Sequence, residues 1–168
     1  MHIFIVGPMA SGKSTIGKKL AKALGVNFID IDKEIERKAG VEISRIFEVE
    51  GEESFREREK KTLKELSEGN NSVISTGGGA VLRMENRELM KSKGKVIYLE
   101  TPVELQLERT LKDKSRPLLS KGNKEETLRS LKKQRDPLYK EIANITINQN
   151  QKNNYQILKE IIKNLNVS

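Results

Sequence analysis

The segment Gly7 to Ser14, "GPMASGKS", constrains the fold more than any other part of this sequence. It matches the pattern G-x-x-x-x-G-K-[ST], in which the backbone N–H groups of a glycine-rich turn surround phosphate oxygens. In that pattern Lys13 bridges the terminal phosphates and Ser14 ligates Mg²⁺. The apolar run "HIFIV" precedes the loop, and "STIGKKLAKALG" after it has the apolar spacing of an amphipathic helix. The sequence therefore predicts a strand, a phosphate-binding loop and a helix whose N-terminus faces a nucleotide.

The rest of the chain alternates between short apolar runs and longer helical patterns. The runs "HIFIV", "NFIDID", "NSVIST", "KVIYLE" and "NITIN" predict strands at 2–6, 27–32, 71–76, 95–100 and 144–148. Helical patterns separate them, with ends near Gly25 and Gly40, an interruption at Gly51 and a break or kink at Pro137. This alternation predicts an α/β fold in one domain, with a parallel sheet and helices on both faces.

Composition limits the partners of the chain. It has 168 residues and a formal net charge of +8, from 32 Lys plus Arg against 24 Asp plus Glu. Such an excess attracts either nucleic acid or small anions such as ATP and a carboxylated substrate. Only four Phe and three Tyr are available to stack on bases, and the lysines alternate with glutamates. We therefore expect small anions as ligands and no nucleic-acid partner.

Localisation is constrained by what the sequence lacks. It contains no cysteine and no apolar run approaching the ~20 residues that a membrane span needs. Its N-terminus has no basic segment leading into an apolar stretch, as a targeting peptide would. We expect a cytoplasmic monomer with no membrane contact and no disulfide or thiol chemistry.

Polar residues follow the second and third predicted strands, where ligands of parallel sheets gather. Asp30 and Asp32 end the second strand, and their spacing puts both carboxylates on one side of an extended segment. Thr76 and the glycines 77–79 follow the third strand, and glycines let the backbone approach a ligand closely. Phosphoryl transfer needs one carboxylate near Mg²⁺ and one near the acceptor hydroxyl. The alternatives are that Asp32 caps a helix and that the glycines form a plain turn.

Six short motifs occur in order across nearly the whole chain: "GPMASGKST", "DID", "FRERE", "STGGGAV", "RPLL" and "RDPLY". Together they resemble the shikimate kinase family. The resemblance implies transfer of the γ-phosphate of ATP to the 3-hydroxyl of shikimate, with Mg²⁺. It also implies a nucleoside monophosphate kinase-like P-loop fold over residues 1–168, with a five-stranded parallel sheet. Residues 31–60 would form a substrate-binding region and residues 112–124 a mobile lid.

The resemblance assigns roles around the donor nucleotide. Arg109 would lie near adenine, and Arg116 would close over the phosphates. Ser14 would ligate Mg²⁺, with Asp30 positioning the metal through water. The implied nucleotide-binding residues are Gly7, Met9, Ala10, Ser11, Gly12, Lys13, Ser14, Thr15, Arg109 and Arg116. The implied catalytic residues are Lys13, Asp32 and Arg116.

The resemblance also assigns the acceptor. Asp32 would bind shikimate hydroxyls and act as the base, while Arg56, Arg135 and the glycines Gly77, Gly78 and Gly79 would hold its carboxylate. Guanidinium forks suit a carboxylate better than lysine does.

Structural alternatives remain for both arginines. Arg56 could pair with Glu59 on a solvated helix face, and Arg135 with Asp136, while Arg58 is a rival to Arg56. We expect Phe47 and Phe55 to wall the pocket or lie in the core, and His2 to be an edge or surface residue.

Two other functions remain open from the residues alone. A related kinase for gluconate or nucleoside monophosphates would share the loop and lid but not the paired arginines. A nucleotide-binding module without turnover would have lost one of the catalytic groups. The tail after "NITIN" lacks the proline that many relatives place against adenine, and "NSVIST" lacks a Walker B aspartate. The base pocket is therefore not assigned.

Overall fold

The computed structural model describes residues 1–111 and 123–167. Five parallel strands form one sheet in the order β2-β3-β1-β4-β5. The strands are β1 (His2–Val6), β2 (Asn27–Asp30), β3 (Ser72–Ser75), β4 (Gly94–Glu100) and β5 (Ile145–Asn148). The predicted α/β fold with a five-stranded parallel sheet is confirmed.

Seven α-helices are described, together with a 3-10 turn at Ala80–Leu82 that the sequence pattern did not predict. The helices are α1 (Lys13–Leu24), α2 (Ile31–Ala39), α3 (Ile43–Ser67), α4 (Met84–Lys93), α5 (Val103–Thr110), α6 (Lys124–Ile142) and α7 (Asn154–Val167). Gly25 and Gly40 end α1 and α2 in the left-handed conformation, and Gly51 interrupts α3 with φ of 84°. None of the helices described in residues 1–111 and 123–167 is long and apolar enough to cross a membrane.

The core consists of two layers, one on each face of the sheet. Successive side chains of a strand point to opposite faces, so Phe4 and Val6 lie in one layer and Ile5 in the other. Phe4 and Val6 pack against residues of α2, α3, α4 and α6, whereas Ile5 packs against α1 and α7. Both faces of the central strands are therefore covered, as parallel sheets require.

The segment "DID" differs from its predicted geometry. Strand β2 ends at Asp30, and α2 begins at the next residue, Ile31. The Asp30 carboxylate is the N-cap, accepting hydrogen bonds from the backbone N–H groups of Asp32 (3.0 Å) and Lys33 (3.3 Å). Asp32 is therefore neither part of an extended segment nor the cap. It lies in the first helical turn, because Asp30 satisfies the N–H groups that open the helix.

Two further expectations need correction. His2 is only 3% exposed, because β1 is the central strand of the sheet and not an edge; its Nε2 donates to the carbonyl oxygen of Ser67 at 3.0 Å. Pro137 does not break α6, which runs from Lys124 to Ile142. Pro137 and Lys133 are both exposed, so water can bind the Lys133 carbonyl that the proline leaves unpaired.

The contact between β1 and β4 predicts a strict requirement for glycine at position 94. Gly94 pairs with His2, and a Cβ atom on Gly94 would overlap the His2 carbonyl group. We expect Gly94→Ala to lower the free energy of unfolding by about 2–3 kcal/mol, measured by urea denaturation. Gly69→Ala is the control, since the nearest atom to its Cβ would be the Leu66 carbonyl oxygen at 3.4 Å. Equal stability of the two variants would contradict this account of the strand contact.

Candidate active site

A cavity of about 750 Å³ lies at the carboxyl ends of the strands, between the phosphate loop and α2, α3 and α6. The predicted site residues that line it are Met9, Ala10, Ser11, Gly12, Lys13, Ser14, Thr15, Asp30, Asp32, Arg56, Gly77, Gly78, Gly79, Arg109 and Arg135. Gly7 lies in the loop next to this cavity. Arg116 and residues 112–122 of the predicted lid lie outside the described residues, and Asn123 caps the start of α6. The cavity thus gathers groups that are far apart in the sequence.

The phosphate loop has the backbone conformation that its glycines allow. Gly7 has φ of 153° and Gly12 has φ of 81°, values that residues with a Cβ rarely adopt. A Cβ on Gly7 would also lie 2.9 Å from the Leu99 carbonyl oxygen. The Lys13 ammonium lies across the loop and donates to the carbonyl oxygens of Gly7 and Pro8, each at 2.8 Å. The lysine is therefore held at the loop that would surround phosphate.

Three side chains from outside the loop hold its carbonyl oxygens. Gln106 donates to Met9 at 3.0 Å, Arg109 donates to Ala10 at 2.8 Å, and Gln149 donates to Ser11. Gln149 also accepts a hydrogen bond from Arg109 at 3.2 Å. These bonds occupy carbonyl oxygens that would otherwise repel an anion. The sequence analysis missed both glutamines, because neither belongs to a recognisable motif.

The Ser14 hydroxyl and the Asp30 carboxylate form a hydrogen-bonded pair at the N-terminal ends of α1 and α2. The Ser14 hydroxyl donates to Asp30 Oδ2 at 2.7 Å, while Asp30 Oδ1 caps α2. Within the described ranges no cluster of three or more His, Cys, Asp or Glu side chains could hold a metal. Mg²⁺ in kinases is bound by few protein oxygens together with substrate phosphates and water, so this donor pair fits Mg²⁺.

Each of the three glycines after β3 leaves room for a charged side chain. A Cβ on Gly77 would lie 2.9 Å from Asp32 Oδ1 and 3.0 Å from Glu59 Oε2. A Cβ on Gly79 would overlap the Arg56 guanidinium, and one on Gly78 would lie 3.4 Å from Arg135 Nη1. The described glycines that have positive φ do not include these three. Small size, and not turn geometry, therefore explains Gly77 and Gly79, whereas a Cβ on Gly78 would only reach ordinary contact distance.

Arg56 and Glu59 form a buried ion pair, not the solvated surface pair of the alternative interpretation. Arg56 Nη1 donates to Glu59 Oε1 at 2.9 Å, and the two side chains are 9% and 0% exposed. The Arg56 guanidinium also stacks over the Phe55 ring, 5.2 Å from its centroid. Burial raises the pKa of Glu59 above its usual value, and the charge of Arg56 opposes that shift. The rival Arg58 instead pairs with Glu50 on the exposed side of α3.

Arg135 is 5% exposed and lines the cavity from α6. Its alternative partner Asp136 instead accepts a hydrogen bond from the Tyr98 hydroxyl and pairs with Lys140 at 3.0 Å. Across residues 1–111 and 123–167, no carboxylate forms an ion pair with Arg135. A buried guanidinium without a counter-ion favours an anionic ligand in this part of the cavity.

Two phenylalanines form part of the cavity wall. The rings of Phe47 and Phe55 lie 4.8 Å apart, and both line the cavity. Phe55 also belongs to the core layer that contains Phe4 and Val6, so both expectations for it hold. The cavity therefore offers a phosphate-binding end, an apolar wall and a second cationic end near Arg56 and Arg135.

The two ends are joined at the glycine segment. A Cβ on Gly78 would lie 3.6 Å from both the Gly7 carbonyl oxygen and the Met9 nitrogen, on the side of the phosphate loop. Asp32 faces the neighbouring Gly77. A carboxylate thus lies beside the junction of the two ends, where an acceptor hydroxyl could meet a terminal phosphate.

Comparison with known proteins gives consistent results along the chain. A family model described as shikimate kinase matches residues 9–166. A shikimate kinase of Actinobacillus pleuropneumoniae serotype 5b (strain L20) is 50% identical over 162 residues, which cover 96% of this chain and 94% of that protein. A shikimate kinase of Acinetobacter baumannii (strain AYE) is 55% identical over 150 residues, which cover 89% of this chain and 83% of that protein.

A solved structure agrees with the sequence comparisons. The shikimate kinase from Acinetobacter baumannii in complex with shikimate has a TM-score of 0.95 and 50% identity, covering 99% of this chain and 93% of that chain. The range matched by the family model, residues 9–166, spans the glycine segment and both arginines of the cavity, and the matches confirm the resemblance found in the sequence. The chain belongs to the shikimate kinase family.

Proposed function

We propose that this chain transfers the γ-phosphoryl group of ATP to the 3-hydroxyl of shikimate, giving shikimate 3-phosphate and ADP. One observation carries the choice of acceptor: the buried guanidinium of Arg135 has no carboxylate partner in the described chain and shares a cavity with the phosphate loop. Shikimate has one carboxylate and several hydroxyls, which suits an arginine-lined end beside a carboxylate such as Asp32. The related Acinetobacter baumannii structure, which contains shikimate, supports the same choice.

In this proposal the acceptor carboxylate binds between Arg56 and Arg135, beside Gly78 and Gly79. Both guanidiniums are nearly buried, so their hydrogen bonds to a carboxylate form in a poorly hydrated pocket. Glu59 pairs directly with Arg56, whereas Arg135 has no direct ion pair among the described residues and is available to the ligand. The pair of arginines therefore selects one anionic group and orients the ring that carries it.

The reaction proceeds at the junction of the two ends. The 3-hydroxyl oxygen attacks the γ-phosphorus, the bond to the β–γ bridging oxygen breaks, and ADP leaves. Asp32 orients the hydroxyl and accepts its proton, while Lys13 and the loop N–H groups stabilise charge on the phosphates. Mg²⁺, held near Ser14 and Asp30, would neutralise phosphate charge when bound.

The remaining roles and partners are part of the same proposal. Residues 1–168 form one domain, and residues 31–60 supply Asp32 and Arg56 to the acceptor site. Arg109 donates to the Ala10 carbonyl of the phosphate loop and lines the cavity, which supports a role for it beside the nucleotide. We expect a cytoplasmic monomer that acts on small molecules and not on nucleic acid.

The acceptor is tested by a coupled ADP-release assay with Mg·ATP. Shikimate, quinate, gluconate and a panel of nucleoside monophosphates would be compared at matched concentrations. We expect turnover with shikimate alone, because nucleoside monophosphates have no carboxylate for the arginines. Quinate and gluconate have a carboxylate and hydroxyls, but on a more hydroxylated saturated ring and on an open chain, so they would not present both groups at the spacing of shikimate. Turnover with another acceptor but not with shikimate would refute the carboxylate site and leave the phosphate loop unaffected.

The role of Asp32 is tested with Asp32→Asn, which keeps the size of the side chain but not its basicity. We expect kcat to fall by about 10²–10⁴-fold, with ATP affinity nearly unchanged in titration calorimetry. Glu34→Gln is the control, since Glu34 is also an acidic residue in the first turn of α2 but does not line the cavity. Near-normal turnover by Asp32→Asn would remove Asp32 from the mechanism.

The role of Arg135 is tested with Arg135→Lys, which keeps the charge and removes the planar fork. We expect the shikimate KM to rise by about 10–100-fold and the ATP KM to change little. Arg129→Lys on the exposed side of the same helix, where Arg129 pairs with Glu104 and Glu125, should leave both constants unchanged. If Arg135→Lys raised both KM values equally, the acceptor carboxylate would have to bind elsewhere.

A further inference from the structure

The side chain of Tyr139 is buried beside the acceptor end of the cavity and has no role in the mechanism above. It is 1% exposed and lies on α6, one helical turn after Arg135. Its hydroxyl donates a hydrogen bond to the Gly78 carbonyl oxygen at 2.6 Å. A buried phenol is thus bonded directly to the middle glycine of the acceptor site.

The position of Gly78 makes this bond significant. The hydrogen side of the Gly78 Cα faces Arg135 and the phosphate loop together: a Cβ atom there would lie 3.4 Å from Arg135 Nη1 and 3.6 Å from both the Gly7 carbonyl oxygen and the Met9 nitrogen. Because Gly78 has no side chain to pack, its position depends on backbone contacts. The Tyr139 hydrogen bond therefore sets how closely the glycine segment approaches the Arg135 guanidinium.

The same hydroxyl also interacts with Arg135. Burial raises the pKa of Tyr139, and the nearby positive charge of Arg135 opposes that shift. No carboxylate in the described ranges forms an ion pair with Arg135, so the phenol is a neutral neighbour of the guanidinium. A carboxylate at this place would hold Arg135 more strongly, but it would also cancel the charge that an anionic acceptor needs.

Tyr139 is itself held in place by its neighbours. Its ring packs on Tyr98 of β4 with 4.9 Å between centroids and an interplanar angle of 33°. The Tyr98 hydroxyl donates to Asp136, which also pairs with Lys140, so α6 is anchored to the sheet next to Tyr139. These contacts restrict the movement of the Tyr139 side chain and so fix the position of its hydroxyl.

We propose that Tyr139 is a positioning residue whose hydroxyl holds the Gly78 carbonyl, and with it the glycine segment, beside the Arg135 guanidinium where the carboxylate of the acceptor binds. This inference rests on the proposed function, because it deepens the assignment of the same acceptor site. Tyr139 itself does not touch the acceptor; it acts through Gly78 and Arg135.

The test compares Tyr139→Phe with Tyr98→Phe in the full chain. Both variants keep their aromatic rings and lose one buried phenol hydrogen bond, but only Tyr139→Phe loses the bond to Gly78. We expect Tyr139→Phe to raise the shikimate KM by about 3–10-fold, the range for loss of one neutral hydrogen bond. The ATP KM should not change, because the phosphate loop has its own anchors in Gln106, Arg109 and Gln149. Tyr98→Phe weakens only the support of α6 and should raise the shikimate KM clearly less than Tyr139→Phe does, with the ATP KM unchanged.

A change of ligand separates positioning from general packing. The methyl ester of shikimate lacks the anionic carboxylate, and its inhibition constant would be measured for the unmodified protein and for Tyr139→Phe. We expect the two constants to be equal, since the proposed alignment serves only the carboxylate. An equal loss with shikimate and with the ester would overturn the proposal. Para-aminophenylalanine at position 139 retains a hydrogen-bond donor. It should therefore bring the shikimate KM most of the way back to the value of the unmodified protein.

The outcomes distinguish this inference from the proposed function. If the unmodified protein did not turn over shikimate, the proposed function would fall and the role of Tyr139 with it. If the unmodified protein were active and Tyr139→Phe matched Tyr98→Phe in both KM values, only the role of Tyr139 would be refuted. Both variants would be assayed at a temperature where circular dichroism shows them fully folded, because a partly unfolded population would raise the apparent KM for both substrates.

Discussion

The site depends on the space that three glycines leave beside the end of β3. Gly77 admits Asp32 with Glu59, and Gly79 admits Arg56, at distances that a Cβ atom would not permit, while Gly78 brings the backbone to contact distance of Arg135. The strand order makes this possible, because β3 lies between β2 and β1 and its end therefore adjoins both Asp30 and the phosphate loop. Sheet topology thus brings charged groups from three helices to one strand end.

Burial of these charges determines what the cavity can bind. Arg56 and Glu59 balance each other, although burial still raises the pKa of Glu59. Arg135 forms no such direct ion pair among the described residues and interacts with Glu59 only at longer range, so much of its desolvation cost remains until an anion binds. The carboxylate of an anionic acceptor therefore supplies the direct counter-ion that Arg135 lacks.

Local patterns predicted most of the fold, whereas long-range contacts did not follow from them. The phosphate loop, the five strands and the glycine ends of α1 and α2 are each encoded within a few neighbouring residues. The burial of His2 depends on strand order, and the capping role of Asp30 depends on where β2 ends, so both were predicted wrongly. Gln149 binds Ser11 across 138 positions of sequence, and no local pattern indicates that bond.

The two ends of the cavity are supported by different parts of the fold. Carbonyl oxygens of the phosphate loop are held by Gln106 and Arg109 of α5 and by Gln149 after β5. The acceptor end is held by α3 and α6, through the Arg56 ion pair and the Tyr139 hydrogen bond. Because these supports share no residue, the nucleotide loop keeps its shape when the acceptor end changes. A family of kinases can therefore vary the acceptor pocket while retaining the loop, and the residues that select the acceptor are those that α3 and α6 bring to the glycine segment.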